Sequence, residues 1–354
     1  MPVLDAPFAQ LDLMAVHMQK AAIARGIPTA IKQLADEGRT RKTDIWLNLE
    51  LDGEQFFYNS GVLLGPGRDH WDRLGRNVNH DAALLLSHKY KTKEFLDEHG
   101  FSVPFGLLFR RRTLEKAFEA YDRFSGPICV KPNHGSLGKG VHPSIRDRFW
   151  YEKALRRVAE NYPTIIAEDS VEGEHFRFFY VEPEVVGIRC GVPMSVVGDG
   201  VSTVAELAAA KNAERRMRAL PTHPPYPIDE TVVEFLGRFG HSLNDVPAPD
   251  ERIYLSGVSN GSAGADTFPV SDEVHPSYRD VVAQACQAVP GLRFAGVDLV
   301  IADKGQSATM GNHWFLEINV NPMIAGFYYP WEGEVVDIAG AILDMLLKRN
   351  RASG

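Results

Sequence analysis

A chain of 354 residues is longer than one hydrophobic core usually supports, so two or three packed subdomains are expected. It carries 46 acidic against 38 basic residues, a net charge of −8, with the basic residues scattered; this argues against a nucleic-acid surface and favours small-molecule chemistry. Three cysteines far apart in sequence, Cys129, Cys190 and Cys286, argue against a disulfide framework and read as small buried hydrophobes.

The start, MPVLDAPFAQLD, has acids and no apolar stretch of a secretory signal. Residues 11–37 show helical periodicity interrupted at Gly26-Ile27-Pro28, and DIWLNLELDGEQFFY alternates Ile45, Leu47, Leu49 and Leu51 before an Asp52-Gly53 turn, which predicts a hairpin. These make an N-terminal subdomain, 1–80, open to a substrate-binding role. A helix pair follows, ended by Gly100, and then helices alternate with the short strands FSVPFGLLF, PICVKP and TIIAED in a central unit, 81–170. From 171 to 354 the pattern becomes a hairpin, a polar loop over 211–228, a helix, and the strands RFAGVDLVIA and HWFLEINVNP. The apolar run VVDIAGAILDMLL is broken by Asp337 and Asp344, so it reads as an amphipathic closing helix rather than a membrane span. The fold class is α/β, and a cytoplasmic protein is expected.

The segment VKPNHGSLGKGV, 130–141, is glycine-rich but fits neither the Walker spacing nor the dinucleotide fingerprint. Lys131 closes an apolar strand just before it, where it either reaches an anion wrapped by the loop's backbone N–H groups or snorkels beside an ordinary loop. Asp298 sits inside an apolar strand, and Glu317 and Asn319, two apart, share a strand face. Three such oxygen donors suit Mg²⁺ bound to nucleotide phosphates; the alternative is that the acids pair with arginines. In HFRFFYVEPEVVGIRCG a turn centred on Pro183 places Arg177 opposite Arg189. Like charges so placed repel unless an anion lies between them, or unless Glu174 or Glu184 neutralises them.

In the order LLLSHKYKTKEFL, VKPNHGSLGKGV, IAEDSVEGEHFR, VVGDGVSTVAEL, SGVSNGSAGADTFPVSDEVHP, GVDLV and EINVNP, these pieces resemble the ATP-grasp ligases, most closely the ATP-grasp part of cyanophycin synthetase and of bifunctional glutathione synthase. The resemblance runs from about residue 76 to the end. It implies three subdomains with nucleotide held between two α+β lobes: 81–170 carries the glycine-rich lid, and 171–354 carries the metal ligands and a large loop. It implies that Lys89, Lys131, Gly135, Ser136, Gly138, Gly140, Glu168, Val171 and His175 bind ATP, with Glu168 and the Val171 backbone as the adenine hinge. Asp298, Glu317 and Asn319 match ligands for Mg²⁺, with Mn²⁺ as the alternative ion. Arg177, Arg189 and Lys131 match catalytic positions, and Asn212 and Arg216 fall in the large loop over the acceptor.

Departures from the family pattern are His175 in place of an acid, Ser256 in place of an arginine, and Ser136-Leu137 at the lid tip. The implied activity is an ADP-forming carboxylate–amine ligase working through an acyl-phosphate, with a carboxylate donor and an amine acceptor drawn from amino acids or short peptides. A homodimer is among the expectations, with neither nucleic acid nor membrane as partner. The rivals are an ATP-binding regulatory protein without turnover, supported by Ser256, and a small-molecule kinase on the same scaffold.

Overall fold

The computed structural model describes residues 11–33, 45–67, 74–135, 138–261 and 264–352. Helix α1 (Leu13–Ala24) starts where the Asp12 carboxylate accepts the N–H groups of Met14 and Ala15. An antiparallel sheet follows, in the order β1 (Thr29–Gln33), β2 (Ile45–Leu51), β3 (Glu54–Asn59), β4 (Val62–Gly65) and β5 (Arg76–Asn77). The predicted β2–β3 hairpin forms, and Asp52 and Gly53 both take positive φ, as a two-residue hairpin turn requires. The helical periodicity beyond Pro28 does not become helix: Thr29–Gln33 pairs with β2 instead, because a β-branched, extended segment finds a sheet edge there.

Helices α2 (His80–Leu86) and α3 (Lys89–Glu98) come next. The second ends at Gly100, whose φ of +79 lets the Phe101 N–H turn back to the Leu96 carbonyl. Then come β6 (Gly106–Arg110), α4 (Leu114–Glu119), β7 (Ile128–Pro132), β8 (His142–Ile145), α5 (Arg148–Asn161) and β9 (Thr164–Asp169). Their strands form one antiparallel sheet, β6-β9-β7-β8, with α5 packed on it through Tyr151, Leu155 and Val158. The glycine-rich segment is the β7–β8 hairpin connection, as predicted.

The remaining elements are β10 (Glu174–Val181), β11 (Glu184–Val192), β12 (Ser195–Val197), α6 (Val204–Arg218), α7 (Glu230–Arg238), β13 (Arg252–Tyr254), β14 (Asp266–Pro269), α8 (Ser277–Ala288), β15 (Phe294–Ile301), β16 (His313–Asn319), α9 (Ala325–Tyr328) and α10 (Ile338–Ala352). The central sheet runs β14-β11-β10-β15-β16, antiparallel throughout. Strand pleating sends Phe176, Phe178, Ile188, Val297 and Leu299 into a core with α2, α3 and α8. It sends Phe179, Val181 and Phe294 into a second core with α1, α10 and the N-terminal sheet. Strands β12 and β13 with α6 and α7 make a smaller cluster around Val196, Ala208, Leu236 and Ile253.

The predicted polar loop over 211–228 is helix as far as Arg218. A capping box of Thr203 and Glu206 starts α6, and its alanine-rich, straight-chain sequence keeps helical propensity that the charges disguise. Asn212 fixes the segment after the helix, giving and accepting one hydrogen bond of 2.8 Å with the Tyr226 backbone. Within GDGVSTVAEL, the Asp199 carboxylate accepts the N–H groups of Val201 and Ser202. This specific stretch therefore builds the entry to α6.

Candidate active site

Between the lid sheet and the central sheet lies a cleft of about 770 Å³. Its floor follows from register. Arg189 on β11 pairs with Arg177 on β10, Arg177 with Asp298 on β15, and Asp298 with Glu317 on β16, so four strands place four charged residues in one transverse row. Arg177 faces Arg189 as inferred from the sequence, but not through the turn alone: Val181 pairs with Glu184 across Glu182-Pro183, and a bulge at Phe179/Tyr180 shifts the register by one residue to bring the two arginines opposite. The pleat that buries Phe176, Phe178 and Leu299 turns this row to the opposite face.

Each charge in the row but one has a counter-charge. Arg177 holds Asp298 through two parallel hydrogen bonds, Nη2 to Oδ2 at 2.7 Å, and Asn319 donates to the same Oδ2 at 3.3 Å. Lys89, the first residue of α3, donates to Glu317. The acids are thus paired with cations, and it is Asp298, not Glu174 or Glu184, that neutralises Arg177. Among the described residues Arg189 forms no ion pair, and its buried Nε has no hydrogen-bond partner. Burial and the neighbouring Arg177 charge lower its pKa to about 10. Two glycines make room for the pair. A Cβ at Gly296 would lie 2.8 Å from Arg177 Nη1, and one at Gly326 would lie 3.1 Å from Arg189 Cζ. The Arg189 guanidinium also sits 5.6 Å from the Phe327 ring centroid.

The opposite wall is the lid sheet. Glu168 on β9 pairs with Cys129 on β7, so pleating brings Glu168 and Lys131 to one face. Lys131 donates to Glu168 Oε1 at 2.5 Å and Lys93 to Oε2, all three side chains being nearly sealed from solvent. Burial alone would raise the Glu168 carboxyl, but the two ammonium groups outweigh it and hold its pKa below the usual range. Val171 lies on the cleft wall just beyond β9, and His175 lines the cleft with a pKa lowered by burial against the opposing pull of Asp298.

Twelve of the fourteen predicted site residues line this one cleft. Gly140 does not: it turns the chain at φ +71 behind the lining, where a Cβ would meet Tyr162 at 3.2 Å. Ser136 lies outside the described residues. Asn212 and Arg216 do not line the cleft; Asn212 is a structural tie, and Arg216 points to solvent while Lys211 and Arg215 pair with Asp266. Ser256 is buried, its hydroxyl accepting the Val258 N–H. Sequence reasoning missed Lys93 and Asn133, whose side-chain oxygen accepts the Tyr90 N–H and ties the glycine loop to α3. The signal for Lys93 was its place four residues after Lys89 on the same helix.

Two lobes of antiparallel sheet closing on a cleft with lysines on the lid side and an acid–amide–arginine row on the floor make the ATP-grasp fold that the sequence resemblance implies. The chain is 32% identical over 314 residues to the glutathione biosynthesis bifunctional protein GshAB of Mannheimia succiniciproducens, across 85% of this chain and 40% of that protein. To the protein of the same name from Clostridium perfringens it is 33% identical over 270 residues, 75% of this chain and 34% of the other. The crystal structure of a bifunctional glutathione synthetase from Pasteurella multocida superposes with a TM-score of 0.62 at 27% identity, over 96% of this chain and 45% of that one. The chain thus spans less than half the length of these relatives. No family model matches it. Among the described residues no helix is long and apolar enough to cross a membrane.

Proposed function

We propose that the chain is an ATP-dependent, ADP-forming carboxylate–amine ligase that makes an amide or peptide bond through an acyl-phosphate. The observation that carries this reading is the floor row, in which one unpaired, half-buried arginine stands beside a paired arginine and three oxygen donors, under a glycine-hinged loop. Lys89 and Lys131 would hold the nucleotide phosphates, with Glu168 and the backbone at Val171 holding the base. Arg189 has a full charge and no partner for it, so it is the group that receives the acyl-phosphate; Arg177 orients beside it on Asp298.

Asp298, Glu317 and Asn319 line the cleft from the paired strands β15 and β16, and their carboxylate and amide oxygens are hard ligands of the kind that fit Mg²⁺ and equally Mn²⁺. Such an ion, when bound, would neutralise charge on the phosphates. The protein's own part is to align donor and nucleotide, and to exclude water from the acyl-phosphate while the loop over 133–141 covers it. The names of the relatives, which place them in glutathione biosynthesis, support an amino acid or short peptide as donor and an amine as acceptor.

The test is ADP release measured across amino acids and short peptides, with and without a second amine. A ligase forms ADP over many turnovers, with matching phosphate and an amide, only when donor and amine are both present, the donor alone giving at most the acyl-phosphate step. Binding of ATP without ADP release under any combination would point to the regulatory reading, and a stable phosphorylated product without an amine to the kinase. In a ligase, the double change Glu317→Gln, Asn319→Ala should abolish turnover; near-normal activity would remove these residues from the metal site.

A further inference from the structure

Lys93 is absent from the cleft lining, yet it is buried against Glu168, a carboxylate on the cleft wall whose two oxygens are each taken by an ammonium group. Glu168 accepts from two ammonium groups, so the cluster of Lys93, Glu168 and Lys131 holds two positive charges against one negative, with side chains only 8%, 3% and 9% exposed. An uncompensated charge in such a place is costly unless an anion answers it. Geometry divides the two lysines. Lys131 and Glu168 face the cleft, whereas Lys93 lies behind Glu168, with its ammonium also donating to the Pro104 carbonyl at 3.2 Å. Space for it depends on Gly106, where a Cβ would come within 3.0 Å of the Glu168 Cβ and 3.4 Å of Lys93 Nζ.

We infer that Lys93 is a positioning residue that sets the charge of the nucleotide site: by neutralising Glu168 from behind, it leaves the Lys131 ammonium free to answer a phosphate. The inference rests on the nucleotide reading given above. What decides the effect is whether Glu168 is left to pair with Lys131 alone. The native cluster carries one excess positive charge. Lys93→Met leaves Lys131 and Glu168 as a self-satisfied pair with no excess, and adding Glu168→Gln to that variant restores the excess. Lys93 should therefore matter greatly while Glu168 is a carboxylate and little once it is an amide.

The experiment is titration calorimetry of ADP and of adenosine against the parent, Lys93→Met, Glu168→Gln and the double variant, each first checked for folding by its melting curve. Lys93→Met should weaken ADP by about tenfold or more, the scale of one unit charge acting across a partly screened site, and leave adenosine within about twofold. In the Glu168→Gln background, the same change should weaken ADP by less than about threefold. Should Lys93→Met alone fail to fold, the Glu168→Gln and double variants still carry the test, because Lys131 then has no Glu168 carboxylate to pair with in either and the two must bind ADP within about threefold of each other. An equal loss for ADP and adenosine, or an equal cost of Lys93→Met in both backgrounds, would make Lys93 a structural residue and overturn the inference. A folded parent that binds neither ligand would instead overturn the nucleotide reading beneath it.

Discussion

Arg189 concentrates the electrostatics of the floor into one side chain. It is half-buried with its Nε sealed from solvent, faces the like charge of Arg177, and among the described residues has no carboxylate of its own, so the empty protein bears its desolvation without return. Arg189→Met places a flexible apolar chain against Phe327 and Gly326 and removes that burden. The empty variant should be as stable as the parent or more stable by about 1 kcal/mol, while the melting-temperature rise on adding ATP with a phosphorylatable carboxylate analogue should shrink. A variant destabilised when empty, yet stabilised by ligand as much as the parent, would make Arg189 a packing residue. The arginine pair was readable only in part: centring the turn on Pro183 put Arg177 opposite Arg189, whereas the structure turns between Val181 and Glu184 and recovers that pairing through a bulge at Phe179/Tyr180. Its counter-ion was not readable, because Asp298 lies 121 residues along the chain and only the β10–β15 pairing brings it in.

At the scale of elements, the glycine loop works through backbone conformation. Gly138 and Gly140 both have φ near +70, which side chains rarely adopt, and Gly140 also packs between Tyr162 and Pro132. Gly138→Val should cut turnover by about tenfold or more with an unchanged circular dichroism spectrum, since strain of about 1–2 kcal/mol falls on a loop whose position matters more than its stability. Turnover at the parent's rate would detach the loop from the chemistry. Elements with a clear local signal were legible: the alternating β2, β10 through the turn at Pro183, the apolar run of β15, and the helices α5 and α10. Those whose composition contradicts their structure were not. In the helix α6, five charged residues from Lys211 to Arg218 read as loop because Lys211 and Arg215 are buried on Asp266, a partner 51 residues beyond Arg215. Likewise β1 read as helix because only the edge of β2 makes it a strand.

The whole molecule is held at its seams by groups that sequence cannot place. Glu234 on α7 accepts from Lys153 at 3.1 Å and from both Arg157 nitrogens at 2.7 and 2.8 Å on α5, joining the small β12–β13 cluster to the lid. The groups are partly exposed, so Glu234→Gln should cost under about 1 kcal/mol of global stability. Locally it should speed amide exchange across the 138–141 turn and β8; unchanged exchange there would mean that the contact does not restrain the lid. Three histidines occupy other seams. His17 on α1 stacks on Tyr328 at 3.8 Å, His142 on β8 lies near Arg157, Arg238 and Glu234, and His223 accepts the Thr267 N–H of β14. Burial lowers the pKa of each to about 4, against an ordinary value of 6.5. Between these limits the unfolded chain binds protons that the folded chain refuses, so their contribution to stability is complete above pH 6.5 and is lost as pH falls toward 4. Each could account for up to about 3 kcal/mol over the full window, and between pH 6.5 and 5 they act before most carboxylates titrate. His17→Phe isolates one of them. Its Nε2 is buried without a hydrogen-bond partner, so a phenyl ring forfeits no bond and keeps the stack on Tyr328. Chemical denaturation at intervals from pH 7.5 to 5 should find this variant as stable as the parent at the upper end and its stability falling less steeply below pH 6.5, by up to about 1.4 kcal/mol per pH unit, the share of one proton. An unaltered slope would mean that His17 takes up its proton in the folded protein, and the α1 seam would then play no part in acid unfolding.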